Sequence, residues 1–240
     1  MRSILVVAAL LVAACSNTVL EPSILETAQC VPPNSGGPLV PLDTWESSIE
    51  GFEQRDAADP PAPGAVVFTG SSSIVFWQTL QEDMAPLPTL NRGFGGSVIQ
   101  QATHYADRIV LPYEPRAIVL YSGDNDIAFG NSADCVLEDL RKFVATVHEA
   151  QAGLPIYVLA IKPSFAREAL WEEMDRANRL LAAYASTDPD VAFIDVATPM
   201  FDESGTLRED LFVADGLHMS PAGYEIWTDT VRPVLRSDLS

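Results

Sequence analysis

Ala65-Val66-Val67-Phe68-Thr69-Gly70-Ser71-Ser72-Ser73-Ile74 opens with a short apolar run that stops at a glycine and turns into three serines. A strand with one face in water alternates apolar and polar residues, whereas a strand covered on both faces is apolar throughout. Ala65 to Gly70 therefore reads as a buried parallel strand. Three further runs have the same character: Arg116 to Tyr121, Pro155 to Ile161 and Val191 to Val196. A weaker candidate lies at Leu87 to Asn91. Between them the period changes. Val136, Leu140, Phe143, Val144 and Val147 fall on one face of a helix, as do Leu170, Met174, Ala177, Leu181 and Tyr184 in the next connection. Ser97 and Gln100 have the spacing of a capping box, and Ser220-Pro221 places an N-cap before a first-turn proline. Strands alternating with helices predict a three-layer α/β/α sandwich around a parallel sheet of about five strands. In such sheets the functional side chains gather where strands end and loops begin.

The chain has 240 residues, 48% hydrophobic and 20% charged, which suits one globular domain. Thirty-three acidic against 14 basic residues give a net charge of −19, a field that repels phosphates, so no nucleic-acid partner is expected. Met1-Arg2, the apolar run Ile4 to Leu11 and then Val12-Ala13-Ala14-Cys15 form an export signal too short to span a bilayer. Its ending resembles the bacterial lipobox. That resemblance implies cleavage after residue 14, lipidation of Cys15 and a protein held in the cell envelope; Ser16 directly after the cysteine resembles the residue of lipoproteins sent, in a Gram-negative cell, to the outer membrane facing the periplasm. Residues 15–43, with scattered Pro, Ser, Asn and a Gly-Gly pair, read as a tether, leaving 44–240 as the domain. Cys30 and Cys135 then remain either as a disulfide pair or as two unrelated thiols. Neither they nor the three histidines have the spacing of a metal site.

Four polar turns fall at the expected places. After the first run, Ser72 is either a helix cap or an exposed nucleophile. The α/β-hydrolase elbow Gly-x-Ser-x-Gly is absent, because Ile74 stands at its last position. Asn91-Arg92-Gly93-Phe94-Gly95-Gly96-Ser97 lets backbone approach a ligand closely. Ser122-Gly123-Asp124-Asn125-Asp126 follows the next strand, and Asp215-Gly216-Leu217-His218 precedes the last helix. Lys162 and Arg167, after the fourth strand, either bind an anionic substrate group or form salt bridges within their loop. Trp77, Phe94, Phe129 and Trp171 line a pocket or fill the core. His104 and His148 read as structural, and Asp124 and Asp126 as loop or cap residues.

Taken in order, these turns resemble the four blocks of the SGNH (GDSL-type) hydrolase family, in a variant reading Gly-Ser-Ser-Ser-Ile with Trp77 three residues on. Ser71 stands where Gly-Asp-Ser-Leu has aspartate. The resemblance implies a flavodoxin-like sandwich, Ser72 as nucleophile, and Asp215 and His218 as its partners. It implies an oxyanion hole from the N–H of Ser72, the N–H of Gly96 and the amide of Asn125, with no metal or cofactor. The reaction expected is hydrolysis of a carboxylic ester through an acyl-serine, on short acyl groups such as acetyl carried by a carbohydrate or aryl alcohol. Rival readings are a lysophospholipase or thioesterase, transfer of the acyl group to another hydroxyl, and a non-catalytic envelope binding lipoprotein.

Overall fold

A computed structural model of the chain describes residues 41–239. The expected leader and most of the tether, with Cys15 and Cys30, lie outside the described residues. The order of elements is α1 (Glu46–Ala58), β1 (Val66–Gly70), α2 (Ser72–Val75), α3 (Leu80–Asp83), β2 (Thr89–Gly93), α4 (Ile99–His104), α5 (Ala106–Ile109), β3 (Ala117–Tyr121), α6 (Asp124–Ala128), α7 (Ala133–Ala150), β4 (Ile156–Leu159), α8 (Trp171–Ala185), β5 (Val191–Ile194) and α9 (Pro221–Asp238). A 3-10 turn, Leu42–Trp45, leads into α1.

All five strands pair in parallel, in the order β2-β1-β3-β4-β5. Strand alternation splits the core in two. Val67, Ile118, Leu120, Ile156 and Val158 point to one face, where α1, α4, α5, α7 and α8 cover them. Val66, Phe68, Val119, Tyr121, Tyr157 and Leu159 point to the other, beneath α2, α3 and α9. This is the three-layer sandwich expected from the runs. The chain moves outward in both directions from β1 and β3, so a crevice opens between their C-terminal ends.

The helices follow from their apolar stripes. In α7 the five residues read as one face are all buried, and in α8 Met174, Ala177 and Leu181 are. Ser220 Oγ accepts from the N–H of Gly223 and opens α9 as expected. The cap of α4 differs. Gln101, not Gln100, reaches back, its Oε1 accepting from Val98 N–H, and Ser97 Oγ is buried with no hydrogen-bond partner among the described residues. The helix starts one residue later because Gln100 turns its amide to Asp139 at 2.7 Å. Strand β2 also starts two residues later than the weak run suggested. Cys135 is buried in the first turn of α7 and disulfide-bonded.

Candidate active site

Gly70 ends β1 at φ +118°, and a Cβ there would stand 1.9 Å from the Tyr121 carbonyl oxygen. Only glycine lets β1 pass β3 this closely while the chain turns. Ser71 N–H then donates to that carbonyl at 3.0 Å, which directs the next residue out over the crevice. Ser72 therefore becomes the first residue of α2, where a backbone N–H has no acceptor within the helix. Two ties fix the short helix. Asn91 Nδ2 donates to Ile74 O at 2.6 Å, and Tyr224 Oη donates to Ser73 O at 2.9 Å.

Opposite stands the loop before α9. Asp215 Oδ1 accepts from the N–H groups of Leu217 and His218 at 2.8 and 2.9 Å, so the carboxylate shapes its own turn. Its Oδ2 lies 2.7 Å from His218 Nδ1, and His218 Nε2 lies 3.0 Å from Ser72 Oγ. An ionised carboxylate only accepts, so Nδ1 carries the proton and Nε2 is left as acceptor for the serine hydroxyl. Three donors, the imidazole first, hold the Asp215 carboxyl down at about 2. Phe76 stands edge to face on the imidazole, ring centres 4.9 Å apart.

The other two turns are joined to each other by Asn125, and a Cβ at Gly95 would stand 4.0 Å from that of Ser72. Gly96 has φ +76°, and a Cβ there would meet the Trp45 ring at 3.1 Å. Trp45 is held by its Nε1, which donates to Gln101 Oε1. Asn125, 5% exposed, donates from Nδ2 to Ser97 O at 2.9 Å and accepts at Oδ1 from Arg167 Nη2 at 2.8 Å. A carbonyl can only accept and a guanidinium only donate, so both neighbours agree on which way the amide points. One amide hydrogen remains unspent.

The structure thus brings together Ser72, Asp215 and His218, with Gly96 in the turn after β2 and Asn125 in the first turn of α6. It buries Lys162 and Trp77 and turns Arg167 onto Asn125 and Asp124. Trp77 is 1% exposed, packed on Phe68, Tyr224 and Trp227, and its Nε1 donates to Asp83. Lys162 is 1% exposed and donates from Nζ to Leu217 O at 2.7 Å; burial pulls its pKa down to about 8. Arg167 is engaged with Asn125 and with Asp124, whose Oδ2 lies 3.0 Å from Nη1. Of the aromatic candidates, Phe94 is buried in the core. Buried Asp126 accepts from Ile99 N–H at 3.1 Å, and desolvation pushes its carboxyl up to about 7. Sequence reasoning missed Trp45, Phe76 and Asn91. Asn91 and Phe76 lie inside or beside quoted motifs, but nothing local shows what they touch.

A doubly wound parallel sheet that carries a hydrogen-bonded Ser72–His218–Asp215 line at its C-terminal edge suits the α/β/α ester hydrolases as a class. The model of the GDSL-like lipase/acylhydrolase family matches residues 57–226, and the chain belongs to that family and is an ester hydrolase. Its fold is similar to that of a Streptococcus pneumonia protein provisionally named as a platelet activating factor (TM-score 0.71, 22% identity, covering 81% of this chain and 94% of that one). It is also similar to a GDSL-like lipase from Bacteroides thetaiotaomicron (0.66, 20%, 80% and 98%). A third similar structure is a mutant of Axe2, an acetyl-xylooligosaccharide esterase from Geobacillus Stearmophilus (0.58, 17%, 73% and 94%). No curated protein matches the chain significantly by sequence.

Proposed function

We propose that the chain hydrolyses short-acyl carboxylic esters, acetyl esters of carbohydrate or aryl alcohols foremost, through an acyl-Ser72 intermediate. The observation that carries this reading is the continuous relay from Asp215 through His218 to Ser72, at 2.7 and 3.0 Å. Ser72 Oγ attacks the carbonyl carbon while His218 Nε2 takes its proton. The carbonyl oxygen becomes an oxyanion, met by the N–H groups of Ser72 and Gly96 and by Asn125 Nδ2. His218 returns the proton to the departing alcohol as the C–O bond breaks. Water then repeats the sequence on the acyl-enzyme, releasing the acid and restoring Ser72.

An open groove of about 660 Å³ is lined by Phe76, Met219, Tyr224, Glu225 and Asp229, and Phe76, which packs on the imidazole, joins it to the site. Its aromatic floor and carboxylate wall suit a polyhydroxylated alcohol better than an anionic one. Axe2, the similar acetyl-xylooligosaccharide esterase, supports the same substrate class. The leader and Cys15 support export and lipid anchoring in the envelope.

A fluorophosphonate probe is expected to label the wild type and not Ser72→Ala, whose turnover should fall by ~10⁴–10⁶. Equal labelling of both would remove Ser72 as nucleophile, and no labelling of either would favour a binding protein. A p-nitrophenyl ester series should peak at acetyl to butyryl; a maximum at long chains would point instead to a lysophospholipase.

A further inference from the structure

Arg167 was a candidate for gripping an anionic substrate, and the structure gives its charge other work. Its guanidinium side chain is 16% exposed and reaches the first turn of α6, which bears Asn125. Nη2 donates to Asn125 Oδ1 at 2.8 Å. Nη1 lies 3.0 Å from Asp124 Oδ2, a charge contact outside hydrogen-bond angles. Asp124 Oδ1 in turn accepts from the Asn125 backbone N–H at 2.8 Å. Asn125 is thus held at its backbone by Asp124 and at its side chain by Arg167, and the two holders hold each other. The segment carrying Arg167 is itself fixed to the imidazole loop, since Lys162 Nζ donates to Leu217 O and Ala166 N–H donates to Gly216 O.

We propose that Arg167 is a positioning residue of the oxyanion hole, orienting and polarising the Asn125 amide through its Oδ1. The inference rests on the reading of Asn125 as an oxyanion donor. Two physical effects follow. A primary amide can turn over, and a fixed cation on Oδ1 forbids the flip that would present oxygen to the oxyanion. A charge-assisted bond to Oδ1 also draws electron density from the amide, making its free N–H a stronger donor. Both matter most when negative charge develops on the substrate oxygen, so the loss should fall on kcat rather than KM.

The test uses p-nitrophenyl acetate, which is neutral, beside p-nitrophenyl hemisuccinate, which is anionic. Arg167→Met should lower kcat on both by about 10–100-fold with KM within about threefold. Arg167→Lys keeps a charge beside Asp124 and guards against misfolding; lacking the fork, it should still lose about tenfold. In an Asn125→Ala background either change should cost less than about threefold more, because an interaction already removed cannot be lost again. A loss confined to KM for the anionic ester would make Arg167 a substrate ligand and overturn the inference. A full multiplicative loss on top of Asn125→Ala would overturn it too. Ser72→Ala separates the two levels: if that variant stays active, the catalytic reading itself fails, whereas an inactive Ser72→Ala with multiplicative Arg167 effects sinks this inference alone.

Discussion

Asp215 does two jobs with one carboxylate. Oδ1 accepts from the N–H groups of Leu217 and His218, which builds the turn, and Oδ2 accepts from the imidazole Nδ1–H, which selects the reactive tautomer. Asp215→Asn leaves a side chain of the same size that could keep the turn through its oxygen. Its NH₂ group, however, would meet Nδ1 as a donor and force the proton to Nε2, the nitrogen that must accept from Ser72. The expected result is a ~10³–10⁴-fold fall in kcat on p-nitrophenyl acetate with little change in thermal midpoint. A fall below tenfold would show that the tautomer is set by something else. The carboxyl, held at about 2, stays ionised across the working range. Its depressed pKa contributes stability above the unfolded value near 4. That contribution fades as the pH falls toward 2, and it is small because the side chain is half exposed.

Among the elements, the junction of β3, α6 and α4 holds a different kind of charge. Asp126 is fully buried, and desolvation, the largest cause, raises its carboxyl to about 7. The folded protein therefore binds a proton there between about pH 4 and 7 that the unfolded chain gives up, and stability declines as the pH rises through that window. Asp126→Asn can keep the bond from Ile99 N–H through its Oδ1 without titrating. Relative to the variant, the wild type should lose thermal midpoint steadily from about pH 4 to 7 and level off above it in a series of melting curves. Parallel curves would mean that Asp126 does not titrate in that range. Strand β1 was legible because burial on both faces leaves a continuous apolar run. Strand β2, at the sheet's edge, was read two residues early, since Asn91 and Arg92 within it make inward bonds to Ile74 O and to Tyr113 and Asp56. Helix α1 was not read at all. Only Ile49 and Phe52 are buried along its 13 residues. Beside those two side chains it is tied by ion pairs, Arg92 to Asp56 and Arg108 to Glu46 and Glu53, and such pairs leave no periodic trace.

At the scale of the whole molecule, the proposed anchor is expected to be separable from the catalytic domain. Cys15→Ala should move the protein from the membrane fraction to the soluble fraction while kcat/KM on a water-soluble ester stays within about twofold. Persistence in the membrane fraction would count against lipidation at that residue. The class of the sheet, the order of the four turns and the residue types at each were readable in the sequence, because strand and helix periodicities are local and survive without a partner. Who faces whom was not. His218 meets Ser72 across 146 residues of chain, Lys162 meets the Leu217 carbonyl across 55, and Arg167 meets Asn125 across 42. A lysine and an arginine beside a site look in sequence like ligands for an anion. Burial and the direction of single hydrogen bonds, which exist only once the loops are folded together, turn them inward onto the catalytic loops.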